Sequence, residues 1–358
     1  MSAGGTALLE APPAEAPAPA RARRSWVDAL TAVVERLPVP PWLVYLPLAL
    51  LLGGTSVALR WADGSYPFPQ LAPITTVFAC AGAYVLGVVH YLDRAARRAL
   101  AEFRPALGTL EPRYAELERR LTTMPPWQAL LAIGLGAIPP VAGHLGGGWG
   151  ITQQTSLATN LYTVAVQLLL NVLVAVFFMR VARQLATIVR IHREADGIRL
   201  SDPVAHSAFS RYTFRAAVLI AIPYALVEVA AGLLNESTVV ELVLLALALL
   251  LSVAVFVLPL RGMHARLVTL KQRQLDAIEQ AFDRAGAELT AAVGAGAGPR
   301  ELRAASEAVT ALGVARERVR HLSAWPWSPQ ALRGFLSSIA VPVALWLATP
   351  VLEGMLPG

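Results

Sequence analysis

Two consecutive stretches decide the fold. Residues 239–260 read VVELVLLALALLLSVAVFVLPL, and residues 261–293 read RGMHARLVTLKQRQLDAIEQAFDRAGAELTAAV. The first is almost wholly apolar. At ~1.5 Å of rise per residue it is long enough to span a hydrocarbon core of ~30 Å as one helix. The second changes character at Pro259 and Gly262, after which Arg261, His264, Arg266, Lys271 and Arg273 arrive. Beyond them Leu275, Ile278, Phe282, Ala285 and Leu289 recur three and four residues apart, the seam of a helix packing on another helix in water. One long helix is therefore expected to leave a bilayer and enter a soluble helical layer.

Its partner lies just downstream. Gly294 to Pro299 read as a turn. Ala308, Leu312, Ala315, Val319 and Leu322 then repeat four and three apart on a helix over 300–322. The two seams match, which predicts an antiparallel cytoplasmic hairpin over 261–323. Leu275, Ile278, Phe282, Leu289, Leu312 and Val319 are its expected packing residues.

Composition agrees with a membrane location. The chain is 56% hydrophobic and only 15% charged, against about 25% charged residues in soluble domains. Its apolar runs are continuous rather than alternating, which argues against an outer-membrane barrel. The net charge of +6 does not argue for a nucleic-acid partner, because the basic residues cluster on one side of the expected spans. That asymmetry is the positive-inside signal. Cys80 is the single cysteine, so a disulfide framework and a cysteine metal site are excluded.

The expected order follows. Residues 1–24, rich in Ala and Pro, read as a disordered cytoplasmic tail. Residues 25–37 read as an amphipathic helix capped by Ser25, lying either on the inner membrane surface or on the cytoplasmic helices. Residues 42–260 hold six spans, with cytoplasmic segments at 93–125 and 180–208. Pro139-Pro140 is expected to kink or break the third span. A seventh span covers 330–352. The fold class is all-α: a polytopic protein with seven transmembrane helices and a coiled-coil-like cytoplasmic layer. Its N-terminus is expected in the cytoplasm, its C-terminus outside, and its location in a plasma or bacterial inner membrane.

Enzyme signatures are missing. A P-loop needs Gly-Lys-Ser/Thr, and Lys271, the one lysine, precedes glutamine. The 6 histidines never fall three or four apart, and no His-Glu-x-x-His occurs. No enzyme activity, cofactor or metal is expected. Polar residues inside the spans remain. Glu228 is an intramembrane carboxylate that either serves function, reaches the outer water or pairs with a neighbouring helix. Gln167 and Asn171, four apart on one helical face, are expected to hydrogen-bond between helices or to mark a polar path. Arg333, Ser337, Ser338 and Thr349 mark the last span.

The layout resembles the seven-helix ion channels that include insect odorant and gustatory receptors. That family has an inside N-terminus, a short membrane-dipping helix, an outside C-terminus and a cytoplasmic anchor formed by helix extensions. Residues 25–37, 180–195, 261–293, 300–322 and 330–352 would fill those places. The resemblance covers nearly the whole chain and is one of layout. It implies a homo-oligomer, a tetramer by preference, with the last helix lining a pore. Ser337 and Ser338 would then face ions, and Leu332, Ile339 or Val343 would form hydrophobic gates. Expected partners are membrane lipid, further copies of the chain and ions. Two alternatives remain open: a sensor or scaffold that recruits a soluble partner through its cytoplasmic helices, and a secondary transporter.

Overall fold

The computed structural model describes residues 25–145, 155–233, 239–325, 327, 331–337 and 340. The expected tail 1–24, and Ser338, Ile339 and Val343, lie outside the described residues. All regular structure among the described residues is helical.

Helix α1 (Trp26–Arg36) begins at a reciprocal cap. Ser25 Oγ accepts from the Asp28 backbone N–H at 3.2 Å, and Asp28 Oδ2 accepts from the Ser25 N–H at 3.4 Å. Val27, Thr31 and Val34 are buried against the bundle, whereas Leu30, Val33 and Leu37 stay exposed. Both alternatives for this helix therefore share it: one apolar flank packs on protein, the other is open.

Next come α2 (Trp42–Ala62) and α3 (Pro73–Phe103). Helix α3 is the hub, with α2 packed along it on one side. Its buried face alternates small and large residues, with Ala79, Ala83, Ala95, Ala96 and Ala99 between Leu86, Leu92 and Leu100. Small residues at such a seam let backbones approach closely. Pro105 and Pro112 reduce the chain to 3-10 turns at Arg104–Ala106 and Gly108–Arg113 before α4 (Tyr114–Thr122).

Helix α5 (Pro126–Leu145) stays helical through Pro139-Pro140, where a kink or break was expected. Each proline there removes the hydrogen bond its nitrogen would make and crowds the carbonyl four residues earlier, yet the helix runs on unbroken. Helix α5 is held against α6 (Leu157–Glu194), a helix of 38 residues capped by Ser156. At Gly136 a β-carbon would stand 2.5 Å from Val172 Cα, so only glycine allows that approach.

Helix α7 (Pro203–Leu233) starts at Asp202, whose Oδ1 accepts from the Val204 and Ala205 backbone N–H groups. Both α6 and α7 pack on α3, and α8 (Val239–Val257) packs on α7. Pro259 sits in a 3-10 turn, Leu258–Leu260, which joins α8 to α9 (Arg261–Gly294). The long helix expected from 239 to 293 is thus two helices with one tight turn at the point where apolar sequence ends. A turn with Gly296 at φ +67° leads to α10 (Pro299–His321), antiparallel to α9.

Among the described residues, five stretches are long and apolar enough to cross a membrane: Trp42–Ala62, Pro73–Ala106, Gly108–Gly143, Leu157–Glu194 and Leu245–Gly294. Their outward residues are apolar too. Leu50 is 66% exposed, Leu130 66%, Leu161 61% and Leu250 67%. A bundle that is apolar outside as well as inside fits a multi-pass membrane protein.

The hairpin departs from this pattern. Past Leu267 no residue of α9 is buried, and none of α10 is. Leu275, Ile278, Phe282, Leu289, Leu312 and Val319 are half-buried where the two helices meet. The α10 seam is corrected at one place. Ala308 is exposed, and Val309, with Leu302 and Ala305, takes the inward register.

Candidate functional site

The densest polar cluster lies at the basic end of the bundle and is centred on Arg180. Its side chain is 4% exposed. Arg180 Nε donates to Asp93 Oδ1 at 2.8 Å, and Nη2 donates to Asp28 Oδ1 at 2.7 Å and to the Thr122 carbonyl at 2.5 Å. One turn along α6, Gln184 Nε2 donates to Asp93 Oδ1 at 3.0 Å and to the Leu121 carbonyl at 2.8 Å. Tyr212 of α7 donates its hydroxyl to Gln184 Oε1 at 2.5 Å. The Met124 N–H donates to Asp28 Oδ2 at 3.0 Å.

One guanidinium and one amide thus tie α1, α3, the end of α4, α6 and α7 together. Buried charges demand such pairing, because an isolated ion in this environment costs several kcal/mol. Arg180 Nη1 is buried and holds no partner. The cluster offers no activated nucleophile. Its chemistry is to hold five segments in register.

A second cluster continues it one turn back on α3. His90 Nδ1 lies 2.9 Å from the Tyr45 hydroxyl, and His90 Nε2 lies 3.5 Å from Glu35 Oε1. Arg94 and Arg97 approach the same Glu35 oxygen at 3.7 and 3.6 Å. Glu35 of α1 is therefore tied to α3, two turns along α1 from Asp28, which Arg180 ties to α6.

Outside the spans, Asp196 fixes the link after α6. Its Oδ1 accepts from the Thr109 N–H at 2.9 Å and its Oδ2 from the Thr109 hydroxyl at 3.0 Å. These bonds hold its carboxyl below the ordinary range. Gly108 sits at φ +56°, and a β-carbon there would stand 1.8 Å from Asp196 Oδ1. At the opposite end Asp63 takes Ser65, Ser156 and Thr159 as donors. Desolvation opposes its charge, but those bonds outweigh it and keep the carboxyl well below its usual value.

Among the described residues, the hairpin is tied to the bundle at its base. Arg266 Nη1 donates to the Ala195 carbonyl at 2.5 Å, and Nη2 donates to the Arg193 carbonyl. Lys271 donates to the Arg320 and Leu322 carbonyls at 2.6 and 2.7 Å, satisfying the end of α10. A run of rings then leads inward. His264 stacks on Trp325 at 4.1 Å and Trp325 on Trp327 at 4.9 Å. Trp327 leans on Phe256 at 5.7 Å, and Phe256 stacks on Phe335 at 4.3 Å. The ladder joins the hairpin base to α8 and to the helical stretch 331–337.

In that stretch Ala331 and Phe335 are buried, while Leu332, Leu336 and Ser337 are exposed. The side chain of Glu228 lies outside the described residues. Asn171 Nδ2 donates to the Gln167 carbonyl of its own helix at 2.9 Å, rather than across helices. Gln167 is half-buried with its Oε1 buried and unpartnered. The Arg180 cluster was not among the sequence candidates. Its signal in the sequence is weak: Arg180 follows the apolar run Val172–Met179 and is followed by Arg183 and Gln184, as an interfacial charge would be. Among the described residues no group of three or more His, Cys, Asp or Glu could hold a metal ion.

Compared with protein-family models, curated proteins and solved structures, the chain matches none.

Proposed function

We propose that this chain is one subunit of a homo-oligomeric, channel-like membrane protein. Copies join through α9 and α10, and the last apolar stretch, 330–352, lines the shared path. In this reading seven helices cross the membrane, the basic end faces the cytoplasm, and the layout is that of the seven-helix channels described above.

The observation that carries the reading is the hairpin. Two helices of 34 and 23 residues stand clear of their own bundle with a seam that is only half-buried. A two-helix hairpin with no further cover is marginal in water, and helices gain most of their stability from tertiary packing. Further copies of the same hairpin supply that packing in a symmetric assembly. The aromatic ladder supports the second half of the proposal, since it ties the hairpin base to the first turns of the last apolar stretch, at Phe335. Ser337 is exposed, which supports a neighbouring subunit or a water-filled path beside it.

Ion flux in liposomes tests the pore assignment. Ser337→Trp and Ser338→Trp are expected to abolish flux while leaving the subunit count unchanged. Full flux in both variants removes the last stretch from the pore. A stable monomer that captures a defined soluble protein through 261–322, with no flux, would favour the scaffold alternative.

A further inference from the structure

A surface on the outside of the bundle, independent of how subunits assemble, carries a binding site. It lies where α6 passes the end of α4 and the first turn of α5, at the height where the basic end of the bundle meets its apolar exterior. Arg183 stands at its centre and is half-buried. Its Nε donates to the Arg120 carbonyl at 3.2 Å, and its Nη1 donates to Gln128 Oε1 at 3.5 Å. These contacts hold the planar guanidinium between α4 and α5. They use two of the five N–H donors an arginine carries.

Charge at this place is not balanced. Other arginines of the basic end meet a glutamate: Arg97 meets Glu35 and Glu118, Arg104 meets Glu111, Arg113 meets Glu116, and Arg211 meets Glu102. The charged groups that act on Arg183 are Arg120, Arg180 and Asp28. Asp28 is already paired with Arg180, and Arg120 is paired with Glu116 at 2.7 Å. Among the described residues no carboxylate is left to pair with Arg183. Arg180 is enclosed by its own partners, so it adds its field without a donor that a ligand can reach.

The surroundings select the anion. Trp127, next to Gln128, is 62% exposed, and Leu130, three residues on, is exposed as well. Tryptophan at such a boundary sits at headgroup depth, with acyl chains beside the apolar residues below it. Phosphate oxygens match the guanidinium fork. A free phosphate would use the charge alone, whereas a phospholipid uses the charge and the apolar face together.

We infer that Arg183, with Arg120 and Trp127 beside it, binds the phosphate group of an anionic phospholipid whose acyl chains lie along Trp127 and Leu130. The headgroup joins α4, α5 and α6 on the outside, as the Arg180 clamp joins them to α1 and α3 on the inside. The inference rests on the apolar exterior being in a bilayer and not on the pore.

The test is native mass spectrometry of the delipidated full-length protein in detergent, titrated with phosphatidylglycerol or phosphatidylcholine. The wild type is expected to take up phosphatidylglycerol in preference to phosphatidylcholine. Arg183→Gln lowers the affinity for the first phosphatidylglycerol about fivefold, the worth of one interfacial arginine. Arg183→Lys keeps most of it, and Arg273→Gln, exposed on the hairpin, leaves it unchanged. Trp127→Ala removes an exposed side chain and weakens binding too, which keeps the test valid should Arg183→Gln fail to fold. An affinity that stays at the wild-type level in both Arg183→Gln and Trp127→Ala places the lipid elsewhere and overturns the site. Equal uptake of the two lipids by the wild type overturns the charge assignment. Thermal unfolding separates the sources of phosphate: phosphatidylglycerol is expected to raise the melting temperature by about 2 °C or more, and inorganic phosphate alone to leave it unchanged. An equal rise with inorganic phosphate makes a free phosphate the ligand and overturns the lipid.

Discussion

Arg180 is the residue on which the bundle depends most. Its Nε and Nη2 meet two different carboxylates, and those partners lie 87 and 152 residues away in sequence. Arg180→Met strands Asp28 and Asp93 in the interior, and we expect a loss of about 3–5 kcal/mol in thermal or denaturant unfolding. Arg180→Lys does not restore it, because a point-like ammonium cannot serve both directions of the planar fork. Tyr212→Phe removes one bond to Gln184 and costs about 1 kcal/mol. An Arg180→Met protein as stable as the wild type contradicts the clamp. Asp196 gives a pH signature. Its folded-state carboxyl is depressed by the Thr109 bonds. Its contribution is complete above the unfolded value of about 3.9 and is lost as pH falls through the lower folded value. Wild type and Asp196→Asn therefore differ in unfolding midpoint at neutral pH, and the difference closes as the solution is acidified below about pH 4. Gly108→Ala, forced to a positive φ and into Asp196, loses about 1–2 kcal/mol or more at any pH.

At the scale of elements, what was legible was periodicity and capping. The seam on α9 was readable because large apolar residues at 275, 278, 282 and 289 leave one register. The seam on α10 was misread at Ala308, because alanines occur on several faces of that helix and do not mark one. The contrast makes a test. Ala308→Glu is expected to change stability by no more than about 0.5 kcal/mol. Val309→Glu or Leu312→Glu places a charge in the seam, and circular dichroism should report lost helix with the rest of the bundle intact. Pro259 was legible as a boundary but not as a 3-10 turn, since the same residue also ends or kinks helices. The Arg180 cluster was not legible at all as a cluster. Asp28, Asp93 and Arg180 each look like interfacial charges beside an apolar run. Only the packing of α1 and α6 on α3 removes them from water.

At the scale of the whole molecule, the apolar exterior marks a protein built for a bilayer, and composition alone conveyed that. The hairpin is the exception, a water-suited element whose seam is half open. If its role is to join copies, the signature is an assembly lost when the seam is broken and the membrane bundle is left alone. Native mass spectrometry of the full-length protein, released from nanodiscs, measures this most directly. The account predicts a homo-oligomer, a tetramer by preference, for the wild type and for Ala308→Glu, and a monomer for Phe282→Glu combined with Leu312→Glu. A wild type that is monomeric, or a double variant that keeps the full subunit count, would contradict it.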